Sequence, residues 1–277
     1  MNVPEVRLNN GVMIPMIGFG TWQLKEEDVC YNSVVSAIEA GYTSIDTAAI
    51  YGNEEYVGRA IKDSGVPHDQ LFVTTKVWNQ DHGYESTLEA FEISMKKLGL
   101  ETLDLYLIHW PGETLFVDTW KAMEKLYGDG RIRSIGVSNF LPHHLKELAE
   151  KCEIVPAVNQ IETHPYLVQQ EAIDYCSEAG ILVEAWSPLM SGQTALGDPA
   201  IQAIAVAHGK TAAQVILRWH VQQQRRVLPR STNAGRIAEN FAIFDFELTG
   251  EEIAAIDALT VRGERTGPHP DTFFKNW

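Results

Sequence analysis

Residues 44–76 read SIDTAAIYGNEEYVGRAIKDSGVPHDQLFVTTK. The run SIDTA, ending at Ala48, is apolar and β-branched, residues 54–63 carry apolar side chains at helical spacing, and LFVTTK, ending at Lys76, is β-type again. Strand, helix and strand thus follow within about 30 residues, the pitch of a βαβ unit. The alternation continues outward in both directions. MIGFGT ends at Thr21, LDLYLIH at His109, IRSIGVSN at Asn139, PAVNQIE at Glu162, ILVEAW at Trp186 and RVLPRS at Ser231, which makes eight candidate strands. Amphipathic patterns lie between them at residues 28–40, 85–98, 117–127, 142–151, 169–178 and 212–222. With Gly20, Asp46, Lys76, His109, Ser138, Gln160, Trp186 and Arg230 as markers of the strand ends, the steps are 26, 30, 33, 29, 22, 26 and 44 residues. The last step has room for an extra loop and a short helix. Eight such units predict a (β/α)₈ TIM barrel in which residues 1–277 form one domain. Asn10-Gly11 predicts an N-terminal β-hairpin capping the barrel's bottom, and Thr249 with Glu252 predicts a capped C-terminal helix followed by a tail.

The competing doubly wound sheet lacks its phosphate fingerprint. GFGTWQ (18–23) begins like GxGxxG but has Gln23 where the third glycine belongs. GVSNF (136–140) departs from a nucleophile elbow at Phe140.

The composition excludes other classes. The chain has 277 residues, with 22 Lys and Arg against 37 Asp and Glu, a formal charge of −15 and 45% hydrophobic residues. Collagen-like, disordered and coiled-coil chains do not have this balance. No run of about 18 apolar residues is present, and MNVPEVRLNN lacks the order of a signal peptide, so a cytoplasmic protein is expected. The acidic balance opposes nucleic acid and anionic membrane as partners. Cys30, Cys152 and Cys176 are widely spaced and odd in number, which predicts reduced core thiols.

Polar residues at barrel strand ends are where chemistry gathers. Asp46 lies in an apolar strand, Tyr51 in the next loop, and Lys76 and His109 close the next two strands. Singly, each has a structural reading: a buried ion pair, a loop aromatic, a satisfied core histidine. Their coincidence at one rim points to a site. Trp22, Trp78, Trp110 and Trp186 also fall at or just past strand ends, which suits an apolar mouth. Arg230, Ser231 and Thr232, then Arg236, Glu239 and Asn240, place guanidinium and hydroxyl groups where a strand meets a helix N-terminus, a match for a phosphate monoester or equally a solvated face. No metal site is expected. His143 and His144 are adjacent and so point to different helix faces, while His82, His164 and His220 read as surface or packing residues.

GFGTW (18–22), GYTSIDTAAIYGNEEYVG (41–58), TTKVWN (74–79), DLYLIHWPG (104–112), IGVSNF (135–140), VNQIETHP (158–165), EAWSPL (184–189) and LPRSTNAGRIAEN (228–240) resemble, in order, the motifs of the aldo-keto reductases. The resemblance covers nearly the whole chain and is strongest to the microbial branch of diketogluconate, glyoxal and methylglyoxal reductases and protozoan prostaglandin F synthases. It implies reversible NADPH-dependent reduction of aldehydes and ketones by a monomer. The catalytic set it implies is Asp46, Tyr51, Lys76 and His109. For the cofactor it implies Gly20, Thr21, Trp22 and Asp46; Ser138, Asn139 and Gln160 at the carboxamide; Trp186 stacked on the nicotinamide; and Ser187, Pro188, Leu189, Ser191 and Gly192 over the pyrophosphate. Arg230, Ser231, Thr232 and Arg236 would take the 2′-phosphate, with Glu239 and Asn240 near the adenine. Position 230 is usually Lys in the family and 186 often Tyr, so weaker use of NADH stays open. The expected substrate pocket is Trp22, Tyr51, Trp78, His109 and Trp110.

The chemistry asked of such a set is definite. A phenol of pKa about 10 works as an acid near neutral pH when an ammonium, here Lys76, favours its phenolate. Asp46 would orient Lys76, His109 would polarise the carbonyl, and Tyr51 would donate the proton. An NADPH-binding regulatory or sensor protein on the same barrel is the alternative. The 17 residues VRGERTGPHPDTFFKNW are short for a lid, so a fairly open site is expected, with Phe273, Phe274 or Trp277 at its mouth.

Overall fold

The computed structural model describes residues 3–192 and 194–273. An antiparallel hairpin comes first, β1 (Glu5–Arg7) and β2 (Met13–Pro15). Parallel strands and helices then alternate: β3 (Phe19–Gly20), α1 (Glu27–Ala40), β4 (Ser44–Asp46), α2 (Glu54–Asp63), β5 (Phe72–Val77), α3 (Tyr84–Leu98), β6 (Leu103–Ile108) and α4 (Phe116–Gly128). The second half runs β7 (Ile132–Ser138), α5 (Pro142–Lys151), β8 (Val158–Glu162), α6 (Gln170–Glu178), β9 (Leu182–Trp186), α7 (Pro199–His208), α8 (Ala212–Gln222), β10 (Arg226–Val227), α9 (Ala234–Phe241) and α10 (Gly250–Asp257). β3 to β10 form one eight-stranded sheet in sequential order. A parallel bridge between Ile17 and Val227, with Gly18 N donating to Val227 O and Val227 N to Met16 O, closes it into the expected barrel.

The strands are buried on both faces because helices cover the outside and side chains fill the inside. Ile45, Val73, Tyr106, Val137 and Val227 join the helix side chains Val34, Val57, Phe91, Trp120 and Leu217 in the main core. The hairpin plugs the lower end. Leu8 and Ile14 pack with Phe72, Leu105, Leu107 and Val158, while Asn10 Nδ2 donates to Arg133 O at the start of β7. The extra helix expected in the 44-residue step is α7, and α10 is capped as read, Thr249 Oγ1 accepting from Glu252 N.

Some boundaries differ. The last strand does not run to Ser231; β10 stops at Val227, and Pro229 has no N–H with which to extend the ladder. Gln169 is the cap of α6, with φ 58, rather than its first residue. Cys30 and Cys176 are buried and Cys152 is partly so; burial pushes the thiols of the first two up to about 12 and about 11. Among the described residues no helix is long and apolar enough to cross a membrane. Phe274 and Trp277, named above for the mouth, lie outside the described residues.

Candidate active site

Asp46 ends β4 and Lys76 is the penultimate residue of β5, on neighbouring strands, so both side chains enter the barrel at its C-terminal end. Between them the chain makes a 3-10 turn, Ala49–Tyr51, terminated by Gly52 at φ 69, which returns Tyr51 to the rim. The turn is fastened by buried Asn53, which donates to Thr21 O and Leu24 O and accepts from Thr47 Oγ1. His109 follows β6, its backbone N–H bonded to Val77 O.

The four side chains meet. Lys76 Nζ donates to Asp46 Oδ1 at 2.6 Å and to Thr47 O at 2.8 Å, and lies 5.2 Å from the centre of the Tyr51 ring. The Tyr51 and His109 rings are 5.6 Å apart, edge to face, and Trp78 packs on His109 at 5.2 Å. Burial lowers the Lys76 ammonium, and Asp46 opposes that shift. Burial, then the Asp46 charge, holds the Tyr51 phenol well above its ordinary value. Burial, then Lys76, keeps His109 well below the usual imidazole range and hence neutral. His109 Nδ1 is buried without a hydrogen-bond partner among the described residues, so the satisfied core histidine of the structural reading is not what stands here.

A second cluster adjoins it. Ser138 Oγ donates to Gln160 O, and Asn139, at φ 63, donates through Nδ2 to His109 O while its Oδ1 accepts from Trp186 Nε1 at 2.8 Å. Gln160 Nε2 donates to Asp46 Oδ2 at 2.9 Å and also to Glu184 Oε1. Thr21 reaches Asp46 O through both N and Oγ1. After β9 the backbone takes left-handed φ at Ser187, Met190 and Ser191, bringing Ser187 Oγ within 3.2 Å of Ser191 Oγ. Arg230, Thr232 and Arg236 are exposed at the start of α9, whose N-cap Asn233 accepts from Arg236 N, and Arg230 touches Gln23 Oε1. Glu239 is partly buried against Thr211 Oγ1 and Asn240 is buried.

The tail, short as it is, brings Phe273 to the mouth as expected. It crosses the mouth, anchored where Thr266 N and Oγ1 donate to buried Glu162. Phe273 stacks on Trp110 at 4.3 Å and meets Trp78 edge-on at 6.1 Å. Trp22 stands apart, 48% exposed, with no ring partner among the described residues. Glu162, a charge buried at a strand end, was the available signal for the anchor.

This architecture and the ordered motifs agree with the aldo/keto reductase family model, which matches residues 16–261. The chain belongs to the aldo/keto reductase family. It is 55% identical to a glyoxal reductase of Bacillus subtilis over 96% of both chains. It is 52% identical to a 9,11-endoperoxide prostaglandin H2 reductase of Trypanosoma cruzi, over 97% of this chain and 95% of that one. An aldo-keto reductase of Bombyx mori, solved in complex with NADP, superimposes with a TM-score of 0.92 at 37% identity, covering 98% of this chain and 97% of its own.

In this family member the adjacent histidines do not diverge. His143 and His144 rings lie 3.9 Å apart, and their Nε2 atoms are 3.1 and 3.6 Å from Asp271 Oδ1 of the tail. Leu141 N donates to His144 Nδ1, which fixes the hydrogen of neutral His144 on Nε2, facing the carboxylate. The trio has the compactness of a metal set, but this tautomer offers a donor there. His82, His164 and His220 are buried packing residues.

Proposed function

We propose that this protein, acting as one barrel over its length, reduces small aldehydes and ketones to alcohols with NADPH and runs in reverse on the alcohols. The observation that carries the reading is the contact of Lys76, Asp46, Tyr51 and His109 beneath a mouth of aromatic rings.

The residues present fit the cofactor. Gln160 Nε2 is held by two carboxylates, so Oε1 is its end for a carboxamide, with Ser138 and Asn139 beside it. Trp186 offers a flat face, and Ser187 and Ser191 face one another in the following turn. Arg230 and Arg236 are exposed cations on an acidic protein, suited to a 2′-phosphate. The bound cofactor would supply hydride from its nicotinamide C4. Asn139 Oδ1, which accepts from the Trp186 indole, keeps a second lone pair for a carboxamide.

The side chains divide the remaining work. Neutral His109 donates a hydrogen bond to the substrate oxygen and polarises the carbonyl. Tyr51, held protonated by burial, gives its hydroxyl proton to the alkoxide as that charge develops. The phenolate so formed is stabilised by the Lys76 ammonium, which Asp46 and Thr47 O hold in place through two of its hydrogens. Trp78, Trp110 and Phe273 exclude water from the reacting carbon.

The test is NADPH consumption over a panel of small carbonyls, with NADH in parallel. Tyr51→Phe should bind NADPH normally and lose about 10²–10⁴-fold in kcat; near-normal turnover removes the assignment.

A further inference from the structure

Below the site, three strands carry polar groups at one level of the barrel. Gln160 on β8 is in register with Glu184 on β9, and Glu184 with Arg226 on β10. Each is 2% exposed or less, so their charges and dipoles face one another rather than water. Arg226 NH1 pairs with Glu184 Oε2, Nε donates to Pro15 O at 2.6 Å, and NH2 donates to Ser44 Oγ at 2.5 Å. Glu184 Oε1 accepts from Gln160 Nε2, the same nitrogen that donates to Asp46 Oδ2. The chain of contacts therefore runs Arg226, Glu184, Gln160, Asp46, Lys76.

Gly18 makes room for it. A Cβ there would stand 2.5 Å from Arg226 NH2 and 2.9 Å from Leu228 Cδ2, so the first glycine of GFGTW serves the guanidinium. The four ionisable members, Lys76 and Arg226 against Asp46 and Glu184, sum to zero. A buried set of this kind tolerates no single removal without leaving an uncompensated charge. Burial draws Arg226 down only to about 10, so it stays cationic near neutral pH.

We propose that Glu184, neutralised by Arg226, is a positioning residue: through Gln160 it fixes Asp46, and through Asp46 it fixes the ammonium of Lys76 against Tyr51. The physical reason is the geometry of one amide. An NH2 group has two hydrogens, and here each serves one carboxylate. Without an anionic acceptor at position 184 the amide is free to turn, Asp46 loses the partner of Oδ2, and its grip on Lys76 loosens. The charged and titratable groups around Lys76 are Asp46 on β4, Tyr51 after it, His109 after β6, Glu184 on β9 and Arg226 on β10. Of these, Arg226 lowers the affinity of Lys76 for its proton and Asp46 raises it.

The role deepens the proposed reaction and rests on that reading for its link to turnover, so one readout avoids turnover altogether. The deprotonation of Lys76 is followed, without cofactor, by the ¹³Cε chemical shift of the lysine signal that Lys76→Arg removes. In Glu184→Gln the Arg226 charge is uncompensated, and the transition should move down by about one pH unit. In Glu184→Gln/Arg226→Met it should return toward the parent value. Glu184→Asp keeps the charge balance, and so the fold, but withdraws the acceptor from Gln160; kcat should fall about 10–100-fold with the NADPH KM little changed. A transition that stays in place in Glu184→Gln, or parental kcat in Glu184→Asp, overturns the proposal. A wild-type protein inert toward every carbonyl, with a transition that still moves, overturns the reaction and supports the positioning.

Discussion

At the lower end of the barrel, Leu8 and Ile14 of the hairpin are buried among Phe72, Leu105 and Val158, with Asn9 and Asn10 of the turn donating to Pro156 O and Arg133 O beside them. At the upper end the cover is a tail held by a few polar anchors, Glu162 on Thr266 and Asp271 beside His143 and His144, with Phe273 laid on Trp110. The lower plug is part of the core. The upper cover can be lifted by breaking a handful of hydrogen bonds, each worth about 0.5–1.5 kcal/mol net. Permanence and access are separated along the barrel axis.

Substitutions at the two ends should therefore separate stability from activity. The largest effect belongs to Lys76→Met, which leaves Asp46 buried beside a methyl group. It should cost roughly 3–5 kcal/mol in denaturant unfolding and abolish turnover, because there stability and chemistry share an ion pair. Ile14→Ala, at the plug, should cost about 2–5 kcal/mol with kcat of the folded protein unchanged; a changed kcat would break the separation.

Acid should act through the buried histidines. Burial lowers His82 and His144 to about 4 and holds His109 and His220 well below the usual imidazole range, while the unfolded chain titrates near 6.5. The unfolded state then binds more protons below 6.5, so unfolding midpoints should fall as pH drops from 6.5 toward 4. A flat profile across that window would contradict neutral histidines. The smallest effect is expected from Asp271→Asn. Stability should change by less than about 0.5 kcal/mol, since the site is exposed, while the carbonyl KM should rise as Phe273 loses its hold on the mouth.

The barrel was legible because a βαβ pitch is a sequence distance, and Asp46, Lys76 and His109 were legible because polar residues at the ends of apolar runs stand out. Glu184 was not. Inside ILVEAW it looks like one more strand residue, and its partner Arg226 lies 42 positions away at the start of RVLPRS, where nothing in the local pattern marks the guanidinium as buried. The histidine pair misled for a related reason. Helical geometry separates neighbours by about 100°, but a tail from the far end of the chain can sit between them and draw both rings to one carboxylate. Local pattern places elements, whereas partnerships across the barrel depend on closure.

The seam itself has a temporal consequence. β3 and β10 are two residues each, and Arg226 joins Pro15 across 211 positions of chain. A growing polypeptide exposes the edge of its first strand until nearly the whole sequence has been made, and the guanidinium that steadies the reactive pair arrives with the last strand. Loop closure over such a span is entropically costly and slow. The reactive geometry is thus among the last features to form during folding, which delays reactivity until the barrel is complete.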